Sequence, residues 1–450
     1  MDKDARHASE LACVPEAPMT RRTLLRGAGV AGATLFGSSL LAACGGSGGG
    51  ATSAGAGEPV TLEFWDMLWG TGGVYEKTAR QLIGQYEAAN PNVTIKYRII
   101  PWANFFETFS TAHASGTTPD IGTSGMRYGD FARGIAPLNS AVEQWRKDGT
   151  AKKVIPAAIE AQLDADGKVT GLPWGMTIRA ISYNRKLFQK AGITQLPASL
   201  DELREVAKAL SRDGVHGFGF CNDAAGGQMM TALMINNGGG LYTSSCGPNL
   251  LDDRNLEVGR WVQDLVRDGS VPKAAAGWNP YDMFGAMERG EIAMVIQEGG
   301  LFNSLSNGKD LGVLPVVEGF HGDKATLIWW LPIELYESCQ NKPAAIDFIN
   351  WWLANQQPLY SRGGSLAFPV RPGFKSEVPL MRDPRTEIVF DSLVPAGRTT
   401  TWPCETGALD VLDKIEGQQF LPTLMTDLLQ LKPLEESFQT AQDALVALRA

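Results

Sequence analysis

The residues best suited to chemistry in this sequence are aromatic and acidic rather than nucleophilic. The stretch "EFWDMLWG" (63–70) brings Trp65, Asp66 and Trp69 close together, and the chain carries 12 tryptophans in all. Flat apolar rings beside groups that donate and accept hydrogen bonds suit a sugar, which offers C–H faces and a rim of hydroxyls. Other chemistries are poorly provided for. The sequence contains no nucleophile elbow, phosphate loop or zinc-protease helix. His113, His216 and His321 stand in unrelated contexts, and no CxxC or Cys/His spacing fits zinc, so neither a metal nor a cofactor is expected. An exported glycosidase would need two carboxylates facing one bond at about 5 Å or 6.5–9.5 Å. Asp66 and Glu298 are the pair that a closed cleft could bring face to face.

The elements that must position these residues read as α/β. "VTLEFW" from Val60 alternates Val60, Leu62 and Phe64 as a strand does. Ala79, Leu82, Ile83 and Tyr86 then recur at helical spacing up to the turn Asn90-Pro91-Asn92. "VTIKYRII" (93–100) alternates again, which makes a βαβ opening and implies a parallel sheet covered by helices. Trp65, Asp66 and Trp69 are placed directly after the first strand, in the loop that faces the ligand crevice of an open α/β sheet. Further on, 102–115 reads as a helix leading to a short strand at "PDIGTS". Ser199 and Glu202 form a capping box, and "PYDMFGAMERGEIAMVI" is a helix stopped by Gly290 and followed by a strand. In "KPAAIDFINWWLA", Ala345, Phe348, Ile349 and Trp352 share one face, so Trp352 is a core residue.

The amino-terminal segment addresses the chain outside the cytoplasm. Arg21 and Arg22 precede Thr23-Leu24-Leu25 and a Gly/Ala/Ser-rich apolar run, the order of a twin-arginine export signal. The run is short of the roughly 18 apolar residues that span a bilayer. "LAAC" ends in Cys44 and resembles a bacterial lipobox, so residues 1–43 read as a signal peptide and Cys44 as the lipidated residue; either Met1 or Met19 serves as the start. Residues 44–57 are almost wholly Gly, Ser, Ala and Thr, a flexible tether about 20 Å in reach. The net charge of −9 argues against nucleic acid or an anionic membrane surface as partner. Besides Cys13 and Cys44 there remain Cys221, Cys246, Cys339 and Cys404, an even number in an oxidising compartment.

Five phrases taken together resemble the solute-binding family typified by maltose-binding protein. "SYNRKLFQKAGI" (182–193) is similar to its YNK-x-LF-x-KAG segment, and "PASLDEL" follows where the family starts a helix. "TPDIGTS", "MFGAMERGEIAMVIQEGG" and "NKPAAIDFINWWLA" match three more segments in the same order. The resemblance implies an extracellular, monomeric binding protein of an ABC importer, with two α/β lobes around a hinged cleft and no enzymatic activity. It implies an N-terminal lobe of 58–174 and 330–362 and a C-terminal lobe of 175–329 and 363–450. The hinge would be crossed near Trp174-Gly175, Trp329 and Gly363-Gly364. The implied ligand is a carbohydrate; the alternative is a glycerophosphodiester or glycerol phosphate, which needs a cation or a helix N-terminus.

On that map Ser124 and Arg127 of "TSGMRYGD" face the cleft and Trp174 lies at its floor. Trp329 and Trp330 stand at the second crossing, and Asp223, Arg371, Arg398 and Trp402 are further ligand-binding candidates. Neighbours on a strand point to opposite faces, so one of Trp329 and Trp330 is expected to pack within a lobe. Two departures argue against maltose itself: Gly300, with Glu298 and Phe302 nearby, replaces a sugar-stacking tryptophan, and Thr177 replaces an acidic hinge residue. Cys221 and Cys246 fall in one lobe, where a bond between them would leave the hinge free, and that pairing is expected. Cys339 and Cys404 fall in different lobes and stay unassigned.

Overall fold

A computed structural model describes residues 58–70 and 72–448. The export signal, the lipobox Cys44 and the whole tether lie outside the described residues. The strands are β1 (Val60–Met67), β2 (Val93–Ile100), β3 (Ile121–Gly122), β4 (Leu172–Asn184), β5 (His216–Gly219), β6 (Ile292–Glu298), β7 (Leu311–Val313), β8 (Thr326–Leu335), β9 (Phe368–Pro369) and β10 (Gly397–Arg398). They form one hydrogen-bonded path in the order β2-β1-β3-β8-β4-β6-β5, with β7 and β9 on β4 and β10 on β8.

The βαβ opening is present: β1 and β2 pair in parallel from Val60↔Val93 to Met67↔Ile100, with the helix Gly72–Ala89 between them. The alternation of β1 divides its side chains. Leu62 and Phe64 are fully buried, and Phe64 meets Phe348 and Trp352 of the helix Lys342–Asn355 edge-on. Trp352 is thus a core residue, as its helical spacing requires. The helix Pro280–Arg289 ends at Gly290, whose φ of 72° is the left-handed conformation that glycine adopts without a Cβ penalty, and β6 follows. Ser199 caps its helix through Glu202 N–H, but the Glu202 carboxylate turns to the N–H of Ala198 rather than to that of Ser199. The expected helix at 102–115 begins with a 3₁₀ turn, Trp102–Asn104, and becomes α-helical at Phe105.

Two long strands tie the sheet together. β4 starts beside β8 (Leu172↔Ile333) and ends beside β6 and β7, while β8 runs back to β3 (Ile121↔Leu335). Carboxyl-ward from Gly122 of β3 the register leads back along β8 from Glu334 towards Trp330. Carboxyl-ward along β6 it leads to Glu298↔Arg179, and so back along β4 towards Trp174. The carboxyl ends of the parallel strands on both sides therefore converge on the stretch where Met176 pairs with Trp330 and Thr177 with Trp329. Ligands of open α/β sheets bind at such strand ends.

The disulfide differs from expectation. Cys246 is bonded to Cys404, and Cys221 and Cys339 are free and buried. The lobe map favoured Cys221, but the chain returns at 400–407 to lie beside the 240–247 turn, where Gly240 packs against the Trp402 carbonyl. Cys221 instead lies two residues past the end of β5 with its side chain wholly buried, and burial pushes its thiol pKa up.

Candidate functional site

At the carboxyl end of β1 the structure revises the placement of the first candidates. β1 runs to Met67, so Trp65 and Asp66 belong to the strand and only Trp69 lies in the loop. Trp65 is covered by Phe109 at 5.5 Å and by the Arg98 guanidinium at 4.7 Å. Asp66 is 1% exposed and accepts from the hydroxyls of Thr123 (2.7 Å), Tyr97 (2.8 Å) and Tyr75 (3.2 Å). Burial nevertheless wins over these donors and raises its pKa to about 6. Thr123, oriented by donating to Asp66, accepts from Trp69 Nε1 at 3.1 Å. The acid thus fixes the indole of Trp69 at one remove.

Trp69 is the middle of an aromatic row. Trp102 meets it edge-on at 4.8 Å and Trp174 at 5.1 Å. Trp102 is 41% exposed, yet its Nε1 donates to the Leu68 carbonyl at 2.8 Å, so an accessible ring is held in one orientation. Trp174 is buried, with no partner for its Nε1. The sequence reading missed Trp102; its place directly after β2, as Trp69 follows β1, was the available signal.

A second set of groups gathers at the end of β6. Arg179 is 1% exposed, pairs with Glu298 at 2.5 Å and donates to Gln297 at 2.7 Å and to Gln228. Its guanidinium lies 5.0 Å from the centroid of the Trp329 ring. Gln228 passes on to Glu416 at 3.1 Å, and Glu416 also accepts from Trp329 Nε1 (3.3 Å) and Thr400 (3.0 Å). Trp329 is therefore gripped on its face by Arg179 and on its edge by Glu416. Trp329 and Trp330 are both half-buried and both pack against the core, so alternation does not set one of them apart. They stand on the crossing strand, and Trp329 is held by polar partners as well. Asp223 caps the helix Ala224–Asn236 through Ala225 N–H, and burial raises its pKa.

The remaining candidates are scattered or engaged. Ser124 is buried and accepts from Met126 N–H at 3.1 Å. Arg127 is buried, bonded to Gln162 and to the Ala161 carbonyl. Beside it Glu334, fully buried, is pushed up to about 8 by burial although it accepts from Gly125 N–H. Gly300 is closed in by the Leu366 carbonyl, 2.6 Å from where a Cβ would stand, which explains why no side chain occupies that position. Arg371 lies over Trp145 at 5.6 Å, Arg398 bonds the Gly397 carbonyl, and Trp402 is half-buried beside Gly240. Among the described residues no three His, Cys, Asp or Glu side chains are grouped to hold a metal ion.

Comparison with known proteins places this geometry. The profile of the family described as "Bacterial extracellular solute-binding protein" matches residues 72–357. The erythritol/L-threitol-binding protein of Mycolicibacterium smegmatis is 23% identical over 401 residues, spanning 78% of this chain and 81% of that protein. Among solved structures, the sugar transporter of Arthrobacter chlorophenolicus A6 with bound laminaribiose is 26% identical with a TM-score of 0.77, covering 86% of this chain and 99% of that one. Maltose-bound MalE3 of T. maritima shares the fold, at 16% identity and a TM-score of 0.72, with 86% and 100% coverage. With this match and with aromatic and polar groups converging where its two crossing strands meet, the chain belongs to the bacterial extracellular solute-binding protein family and has its two-lobe α/β fold.

Proposed function

We propose that this protein captures a neutral carbohydrate between its lobes and hands it to the transmembrane subunits of an ABC importer, while anchored to the outer face of the membrane through Cys44. The observation that carries the ligand class is the use made of the arginines. Arg179 and Arg127 commit their guanidinium groups to Glu298, Gln297, Gln228, Gln162 and a backbone carbonyl. Arg398 bonds its own backbone and Arg371 lies against Trp145. The carboxylates Glu298, Glu416 and Asp223 disfavour a phosphodiester, and of these four arginines only Arg371 is left without a hydrogen-bond partner, whereas Trp102, Trp329 and Trp330 suit the faces of a sugar. The laminaribiose bound by the Arthrobacter relative and the tetritols named for the Mycolicibacterium one support the same class.

The arrangement favours binding over hydrolysis. Asp66 is closed off by three hydroxyls and Glu298 is held by Arg179, so the pair lacks a free acid and a free base. A thermal-shift screen of laminaribiose, maltose, erythritol, ribitol and glycerophosphocholine tests the reading, with mass spectrometry of the recovered ligand. A shift with a neutral sugar or polyol, recovered intact, is expected. A shift with glycerophosphocholine alone would overturn the ligand class, and recovery of cleaved sugar would overturn the transport role. For the anchor, Cys44→Ala should release the protein from membranes and abolish labelling by an alkyne fatty acid.

A further inference from the structure

The helix Leu409–Gly417 touches both sides of the region where β4 and β8 cross, and its charged side chains divide between them. Asp413 accepts from the backbone N–H of Arg127 and of Tyr128, each at 2.7 Å, in the segment that follows β3. Lys414 pairs with Asp130 at 3.1 Å. The approach is close: a Cβ on Gly129 would lie 2.1 Å from the Asp410 carbonyl, and one on Gly417 would lie 2.3 Å from the Phe106 ring. Glu416, about one turn from Asp413, serves the other side by accepting from Gln228, Trp329 and Thr400. The chain flanking the helix is tied to that second side. Cys404 before it is bonded to Cys246, and the helix Phe420–Leu429 after it packs on Ala224–Asn236.

We propose that the Leu409–Gly417 helix is an interlobe latch. It travels with the lobe that holds Cys246 and Gln228, and the docking of Asp413 on the 125–128 segment holds the cleft closed. Opening breaks the contacts to Phe106, Arg127, Tyr128, Gly129 and Asp130 while keeping those of Glu416.

The latch is linked to protons. Burial pushes Asp413 up to about 7, against two backbone N–H donors and the Arg127 charge. Glu416 on the same helix raises it further; Glu334 and Tyr336 face it from β8, and the Asp130–Lys414 pair lies beside it. In an open cleft Asp413 meets water and returns towards 3.8. A group whose pKa is higher in the closed state favours that state most at low pH. The advantage is full below about pH 4 and is lost as pH rises through about 7.

Small-angle scattering and interlobe fluorescence transfer on the full, ligand-free chain at pH 5 and pH 8 test this. Wild type should be more compact at pH 5. Asp413→Ala leaves two backbone N–H groups without an acceptor when closed, and the closed-to-open ratio should fall about tenfold or more. Asp413→Asn keeps an acceptor oxygen without the charge and should be compact at both pH values. Asp413→Ala as compact as wild type overturns the latch; Asp413→Asn tracking wild type, or wild type alike at both pH values, overturns the proton linkage. Should Asp413→Ala fail to fold by circular dichroism, Gly417→Ala decides: its Cβ meets Phe106 and must lower the closed population, and unchanged compactness refutes the latch. None of these measurements uses a sugar, so failure of the carbohydrate reading leaves them standing.

Discussion

Arg179→Met tests the polar grip on Trp329 most directly. Methionine is long and unbranched and fills much of the vacated space, so the loss is electrostatic rather than a cavity. The guanidinium removed is 2% exposed at its side chain and pairs with a Glu298 that is 19% exposed. Breaking a buried pair from one side costs about 3–5 kcal/mol, because the remaining charge is left uncompensated. The partial exposure of Glu298 lets water relieve some of that, and the lost bonds to Gln297 and Gln228 add to it. We therefore expect Arg179→Met to destabilise by about 3 kcal/mol. Glu298→Met in the same chain removes the orphaned charge, so the double variant should cost less than the sum of the singles by about 1–3 kcal/mol. Urea unfolding at pH 7, followed by far-ultraviolet dichroism and tryptophan emission, measures all three. A single variant below about 1 kcal/mol, or a double variant costing the full sum, would refute the argument that the pair is a coupled buried unit.

Trp102→Ala should weaken binding of whichever sugar raises the melting temperature by about 1–3 kcal/mol in calorimetry, with little change in that temperature for the free protein; equal loss of stability would mark Trp102 as a packing residue. Peptide mapping of unreduced protein should find Cys246 joined to Cys404. Cys404→Ser should lower stability by about 2–5 kcal/mol on chain-entropy grounds, since 158 positions separate the pair. Asp66, raised to about 6 from 3.8 by burial, contributes stability that is complete below about pH 4 and lost as pH rises through 6. The stability difference between wild type and Asp66→Asn should therefore move against wild type by about 3 kcal/mol from pH 4 to pH 8, as read by urea titrations; no drift would contradict the burial argument.

The sequence by itself determined the class of fold and much of its scaffold. Alternation in "VTLEFW" and "VTIKYRII", the Gly290 stop and the shared face of Phe348, Ile349 and Trp352 are local patterns, set by the periods of strand and helix, and each appears in the structure. The candidate site was legible only at the level of which loops carry it. Whether Asp66 faces a ligand or the interior depended on Tyr75, Tyr97 and Thr123, which no local pattern links to it. The importance of Arg179 and Glu416 arises from bonds between residues as far as 188 positions apart. The disulfide followed the same rule: Cys221 was nearer to Cys246 along the chain, but the returning segment set Cys404 beside it. Burial, hydrogen bonding and cross-linking are properties of three-dimensional neighbours, and the sequence periodicity that specifies an element does not specify what that element will meet.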